Sequence, residues 1–220
     1  MNQPEGYHEG DLDDVCHLLK TIYGLKQAPR EWNMKMHATL KTMGFRRLES
    51  DQGLYIYSNG QVRIIMPIWV DDITLASNSQ EAINNVIKQL QSHFKLRDLS
   101  PTNYLLGVEI TRNHSQRSIA LSQRQYIVDI LDRFGMADCK SVTTPMVPGL
   151  HLTAEMGPST DEQIAAMKNV PYRNAVGALS YVAETTRPDI HYVTGVLARY
   201  CSNPGEAHWK AVKHLFHYLQ

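Results

Sequence analysis

Two adjacent carboxylates, Asp71 and Asp72, interrupt an otherwise apolar stretch. Ahead of them runs Val62-Arg63-Ile64-Ile65-Met66-Pro67-Ile68-Trp69-Val70, and behind them Ile73-Thr74-Leu75-Ala76-Ser77. Both runs are rich in β-branched residues, so the pair falls where a β-hairpin would turn. Aspartate suits strands poorly, and two neighbouring anions repel unless something neutralises them. A solvated acidic turn is one answer. A divalent cation is the other: Mg²⁺ prefers oxygen ligands and takes one or two carboxylates together with substrate phosphates. Two such ions at one site are the arrangement that phosphoryl transfer uses.

The elements that would position this pair are legible in the flanking pattern. Pro29 reads as a first-turn proline opening a helix, with Trp32, Met36, Leu40 and Met43 on one face and Gly44 as its stop. Tyr55-Ile56-Tyr57 and the Val62 run read as a hairpin turned at Asn59-Gly60. Pro67 removes one ladder donor and predicts an edge or bulged strand there. Ser77 with Gln80, and later Ser122 with Gln125, fit capping boxes that open two further helices. Residues 104–111 read as a strand interrupted by Gly107. Pro145, Pro148, Gly149, Gly157 and Pro158 mark residues 143–160 as a linker. Three helices are predicted beyond it, over about 172–185, 188–201 and 206–219.

Composition sets the outer limits. The 220 residues are 43% apolar and 20% charged, which suits a globular chain with a real core. No apolar run is long enough for a bilayer-spanning helix, and the polar start is not a signal peptide. Cys16, Cys139 and Cys201 are few and scattered, as expected of reduced thiols inside a cell. Overall charge is balanced at 22 basic against 22 acidic residues, so it indicates no particular partner. Locally the balance breaks: Lys20, Lys26, Arg30, Lys35, Lys41, Arg46 and Arg47 face Glu31 alone between positions 15 and 47. Such a stretch suits phosphates or a solvated face. His208, His214 and His217 cluster near the end without a cysteine pair to complete a zinc set, and Trp32 and Trp209 read as core residues of their helices.

Several strings, in order, resemble one family. They are Asn2-Gln3-Pro4-Glu5-Gly6-Tyr7, then Tyr23-Gly24-Leu25-Lys26-Gln27-Ala28-Pro29-Arg30-Glu31-Trp32, Val70-Asp71-Asp72-Ile73 and Leu105-Leu106-Gly107-Val108-Glu109-Ile110. Leu121-Ser122-Gln123, Thr144-Pro145-Met146 and Thr186-Arg187-Pro188-Asp189-Ile190 complete the series. Together they resemble the reverse transcriptases of copia-type LTR retrotransposon Pol polyproteins over nearly the whole chain.

The resemblance implies an α+β fold, a partial right-hand polymerase palm with a helical thumb and a helical connecting segment. Its expected parts are a palm over residues 1–113, a thumb over 114–142, the linker over 143–160, and the connecting segment over 161–220. Asp71 and Asp72 would be catalytic and hold two Mg²⁺ (or Mn²⁺) ions. Lys26, Gln27 and Arg30 would contact template or nucleotide, and Leu106 and Gly107 the primer. The implied partners are an RNA or DNA template with its primer, deoxynucleoside triphosphates and the rest of the Pol polyprotein, with no membrane. The implied location is intracellular, in a cytoplasmic virus-like particle or the nucleus. Departures are also expected to matter. The segment carrying the family's first carboxylate, the fingers and the ribonuclease H domain have no counterpart here, and Trp69 stands where the family has Tyr. The chain alone is therefore expected not to extend a primer. A non-enzymatic remnant and a nucleic-acid-binding module are the alternatives.

Overall fold

The computed structural model describes every residue except Leu12 and Ser100. Contacts divide the chain into two compact units, Met1–Ser100 and Pro101–Gln220, each described by itself. The division falls ahead of the strands at 104–113 that the sequence reading groups with the palm.

In the first unit, Ala28–Thr42 forms helix α1 with Pro29 in its first turn, where a missing N–H costs no hydrogen bond. Met36 and Leu40 are buried, with Trp32 and Met43 packed partly buried against the same core. The helix ends as expected at Gly44, whose φ of 85° is the left-handed conformation a helix stop requires. Phe45 N–H donates to Leu40 O at 3.0 Å and Gly44 N–H to Lys41 O at 3.1 Å, a Schellman closure.

An antiparallel sheet follows, built from β1 (Arg46–Arg47), β2 (Leu54–Ser58), β3 (Arg63–Trp69), β4 (Asp72–Ile73) and β5 (Ala76–Ser77). The β2–β3 hairpin turns at Asn59-Gly60 as predicted, with Gly60 at φ 92° and Asn59 Oδ1 accepting from Val62 N–H. Strand β3 alternates: Ile64 and Met66 are buried, while Ile65 and Pro67 are exposed. One sheet face therefore joins the core with α1 and α2 (Gln80–His93), and the other stays open.

The expectation for Pro67 is corrected. Strand β3 pairs on both sides, with β2 along one edge and with β4 and β5 along the other. Ile68 faces Ile73 and Ile65 faces Ala76, one unbroken register without a bulge. Pro67 thus stands opposite Thr74, whose N–H donates to Pro67 O at 3.1 Å. The return bond needs a proline N–H and is missing, which is why the flanking strand divides into two short pieces. Both capping boxes are corrected as well. The cap of α2 is Ser79, accepting from Ala82 N–H at 3.2 Å, while Ser77 Oγ donates to Arg63 O. Gln123, without a side-chain cap bond, precedes α3 (Arg124–Arg133).

The second unit opens with β6 (Tyr104–Leu105), β7 (Val108–Asn113) and β8 (Ser118–Ser122), an antiparallel three-stranded sheet, and continues into α3. Its remaining helices are α4 (Asp161–Met167), α5 (Tyr172–Thr185), α6 (His191–Ala198) and α7 (Glu206–Leu219), with 3₁₀ turns at Ala154–Met156 and Pro188–Ile190. Leu179, Val182, Ile190, Val212, Leu215 and Phe216 form its core with Ile130 and Leu131 of α3. The Arg187–Asp189 pair is a structural clamp. Arg187 holds the Asp189 carboxyl below the usual carboxylate range, and Tyr218 on α7 donates to Asp189 at 2.9 Å.

Residues 143–160 hold little regular structure, yet they and the stretch just ahead of them are laced to α7. His217 Nδ1 hydrogen-bonds Lys140 O at 2.7 Å, His214 Nε2 Thr144 O at 2.9 Å, and His208 Nε2 Thr153 O at 3.0 Å. Met146, Leu150 and Leu152 pack on the helical core beneath. His208 is fully buried, stacked on Tyr200 at 4.1 Å, and its Nδ1 accepts from Gly205 N–H at 2.9 Å. Accepting there leaves the proton on Nε2, so the fold selects the neutral ring. Burial pushes the His208 pKa below its ordinary value, with the Thr153 hydrogen bond opposing. The stability this contributes is present above the unfolded ring's pKa of about 6.5 and is lost as pH falls below it. Thermal unfolding should show a larger drop between pH 7.5 and pH 5.5 for the wild-type chain than for His208→Gln. The variant should also melt lower at pH 7.5.

Candidate active site

The Asp71-Asp72 pair lies at the tight turn between β3 and β4. Trp69 faces Asp72 across the ladder, leaving Val70 and Asp71 as the two central turn residues. Val70 has φ 53°. A positive φ at the first central position of a two-residue hairpin is the place of glycine, and for a β-branched residue it is a true outlier. Strain of this kind costs about 1–3 kcal/mol and gathers at functional sites. Both carboxylates are exposed, and among the described residues neither side chain has a hydrogen bond or ion pair. The anions are thus left to water or to a cation.

Helix α1 reaches this turn through one bond. Trp32 Nε1 donates to Val70 O at 2.9 Å, and the indole ring packs edge-on against Phe94 at 5.3 Å. Trp32, expected as a plain core residue, thus serves both the core and the turn. Its indole N–H, a donor seeking a partner at the border of an apolar face, was the available signal. Lys26, Gln27 and Arg30 lie just ahead of it, all exposed. Gln27 occupies the N-cap of α1 without making a side-chain cap bond, so its amide is available to a ligand. The structure therefore gathers Lys26, Gln27, Arg30, Asp71 and Asp72 in one unit, with α1 tied to the carboxylate turn.

Leu106 and Gly107 belong to the second unit. The expected interrupted strand is instead a hairpin, because Leu105 pairs with Val108 and the two residues between them turn the chain. Both have positive φ, 50° and 81°, the signature of a type I′ turn. Tyr181 of α5 donates its hydroxyl to Leu106 O, and Tyr126 meets the Tyr181 ring edge-on at 5.1 Å. No local signal pointed to Tyr181, which is 75 residues away along the chain. An open cavity of about 510 Å³ lies beside this turn, lined in part by Tyr104, Gly107, Arg112 and Gln125.

Two carboxylates fit the donor set for Mg²⁺, whose remaining ligands are usually water and phosphate oxygen. Among the described residues no group of three His, Cys, Asp or Glu side chains forms a metal site from protein alone. That includes the α7 histidines, each of which bonds a backbone carbonyl.

Comparison with known proteins decides the family. The model of the reverse transcriptase (RNA-dependent DNA polymerase) family matches residues 1–148. The chain belongs to the reverse transcriptase family. The retrovirus-related Pol polyprotein from transposon TNT 1-94 of Nicotiana tabacum is 40% identical over the whole chain. That from transposon RE1 of Arabidopsis thaliana is 37% identical over the same span. The chain spans 17% and 14% of the length of those two polyproteins. A putative transposon Ty5-1 protein of Saccharomyces cerevisiae is 32% identical over the whole chain, which spans 69% of it. No solved structure matches. As a reverse transcriptase chain of the copia type it carries Asp71-Asp72 on a strained turn, and among its described residues no helix is long and apolar enough to cross a membrane.

Two substitutions probe the turns. Val70→Gly removes a left-handed penalty of about 1–2 kcal/mol and returns about 0.5–1 kcal/mol as backbone entropy. Urea unfolding should therefore find the first unit unchanged or slightly more stable. At Gly107 a Cβ would meet nothing closer than Tyr181 Oη at 3.8 Å, so only the backbone resists a side chain. Gly107→Ala should destabilise the second unit by about 1–2 kcal/mol in the same assay.

Proposed function

We propose that this chain supplies the carboxylate turn and the segments following it in an RNA-directed DNA polymerase of a copia-type Pol polyprotein. The observation that carries the reading is the display of Asp71 and Asp72, without partners among the described residues, on a turn strained at Val70. In this reading residues 1–113 are palm, 114–142 thumb and 143–160 a connection, with the helices of 161–220 leading on. Asp71 and Asp72 hold two Mg²⁺ or Mn²⁺ ions. When bound, such ions supply activation of a primer hydroxyl and neutralisation of a triphosphate leaving group. Lys26 and Arg30 approach phosphates of template or incoming nucleotide, and the free Gln27 amide hydrogen-bonds a sugar or base edge. The backbone of Leu106-Gly107 lies against the primer, since a glycine there lets a strand come close. The setting is intracellular, in a virus-like particle or the nucleus.

The 220-residue chain by itself should make no DNA on a poly(rA)–oligo(dT) template, because two carboxylates form an incomplete catalytic unit. Removing one member of such a unit costs several orders of magnitude in rate. Placed in the TNT 1-94 polyprotein in place of the matching stretch, it should support synthesis, and Asp71→Asn should reduce that by about a thousandfold or more. Synthesis by the isolated chain would refute its inactivity, and synthesis untouched by Asp71→Asn would refute the role of the pair. The second reading, a nucleic-acid-binding module, is favoured by the exposed Lys26 and Arg30. It expects salt-dependent duplex binding that Lys26→Glu with Arg30→Glu abolishes and Asp71→Asn leaves intact.

A further inference from the structure

We infer that Trp32 is a positioning residue for the carboxylate pair, acting through the peptide that joins Val70 to Asp71. The inference rests on the reading of Asp71 and Asp72 as the reacting pair.

A two-residue hairpin has one soft degree of freedom, the orientation of its central peptide. Flipping that peptide interconverts turn types with little movement of the strands, because the ladder bonds on either side stay in place. Here the central peptide runs from Val70 C=O to Asp71 N–H. Its orientation sets the direction in which the Asp71 side chain leaves the turn. Val70 does not favour the observed state by itself. Val70 sits at φ 53°, where glycine belongs and a β-branched side chain is penalised.

The restraint comes from outside the hairpin. The Val70 carbonyl accepts the Trp32 indole N–H at 2.9 Å, across 38 residues of sequence. The indole is itself confined. Its ring meets Phe94 edge-to-face at 5.3 Å and 70°, and Phe94 is buried at the end of α2. Lys35, one turn further along α1, places its ammonium 5.4 Å from the same Phe94 ring. The donor is thus fixed by two helices, and the acceptor belongs to a residue whose own side chain disfavours its conformation. Trp32 touches neither carboxylate in any described contact. Its effect on the reaction passes through the Val70–Asp71 peptide, so it sets where the carboxylates point and leaves substrate affinity alone.

The decisive variant keeps the ring and removes only the N–H: 3-benzothienylalanine, the sulfur isostere of tryptophan, incorporated at position 32. Trp32→Phe is the genetically simple companion. Amide hydrogen exchange of the 220-residue chain is the first readout. The Asp71 and Asp72 amides should exchange roughly three- to tenfold faster in the isostere, the effect of one lost hydrogen bond, with locally opening α1 amides unchanged and the urea midpoint lowered by no more than that one bond accounts for. In the TNT 1-94 chimera the same variant should lower kcat for primer extension several-fold, with KM for dTTP unchanged. Unaltered turn exchange in the isostere overturns the inference, whatever the chimera does. So does an equal acceleration of the α1 amides that exchange by local opening, because the effect would then be a loosened core and not a loosened turn. If Asp71→Asn leaves synthesis by the chimera intact, the catalytic reading fails on its own. The exchange measurement then still decides whether Trp32 sets the turn.

Discussion

The register of β3 against its neighbours is the constraint from which the candidate site follows. Side chains on a strand alternate between faces, so a slip of one residue would expose Ile64 and Met66 and bury Ile65 and Pro67. The core formed with Met36, Leu40, Val86 and Leu90 holds the strand against that slip. With the register set, Ile68 faces Ile73 and Trp69 faces Asp72, and only Val70 and Asp71 remain to turn the chain. With Ile64 and Met66 held in the core, the ladder ends at Trp69 and Asp72 and the carboxylates fall at the turn.

Pro67 illustrates how such a sheet absorbs an irregular residue. Its missing N–H removes one rung of the ladder while the carbonyl keeps its bond from Thr74. The register continues across the gap, so the fault stays local and the turn three residues on keeps its place. A proline in an inner strand is unusual. Here it is tolerated because the strand opposite it is short and is held on both sides of the gap.

The two candidate turns solve one problem in different ways. At Leu106-Gly107 the positive φ values include a glycine, and the Leu106 carbonyl is capped by the Tyr181 hydroxyl. At Val70 there is no glycine, and the carbonyl is capped by the Trp32 indole. In both cases a distant aromatic donor fixes a turn peptide that local sequence leaves soft. The α7 histidines act similarly on residues 140–153, where ring nitrogens take up backbone carbonyls that have no strand or helix to satisfy them.

The amino-acid sequence by itself determined the elements and the chemistry they carry. Pro29 and Gly44 bound α1, the Asn59-Gly60 turn sets the first hairpin, and the spacing of Trp32, Met36, Leu40 and Met43 marks the buried face of α1. These are local matters of dihedral preference and apolar period, and they need no knowledge of what lies across the fold. The adjacency of Asp71 and Asp72 between two β-branched runs is equally local. Tertiary structure decided the rest: that Pro67 sits in an inner strand, that Ser79 and not Ser77 caps α2, and that residues 143–160 are fastened to α7. It also decided that Trp32 and Tyr181 bond turns 38 and 75 residues away. A hydrogen bond between distant residues leaves no periodic trace, because its partners meet only after the helices and strands between them have packed.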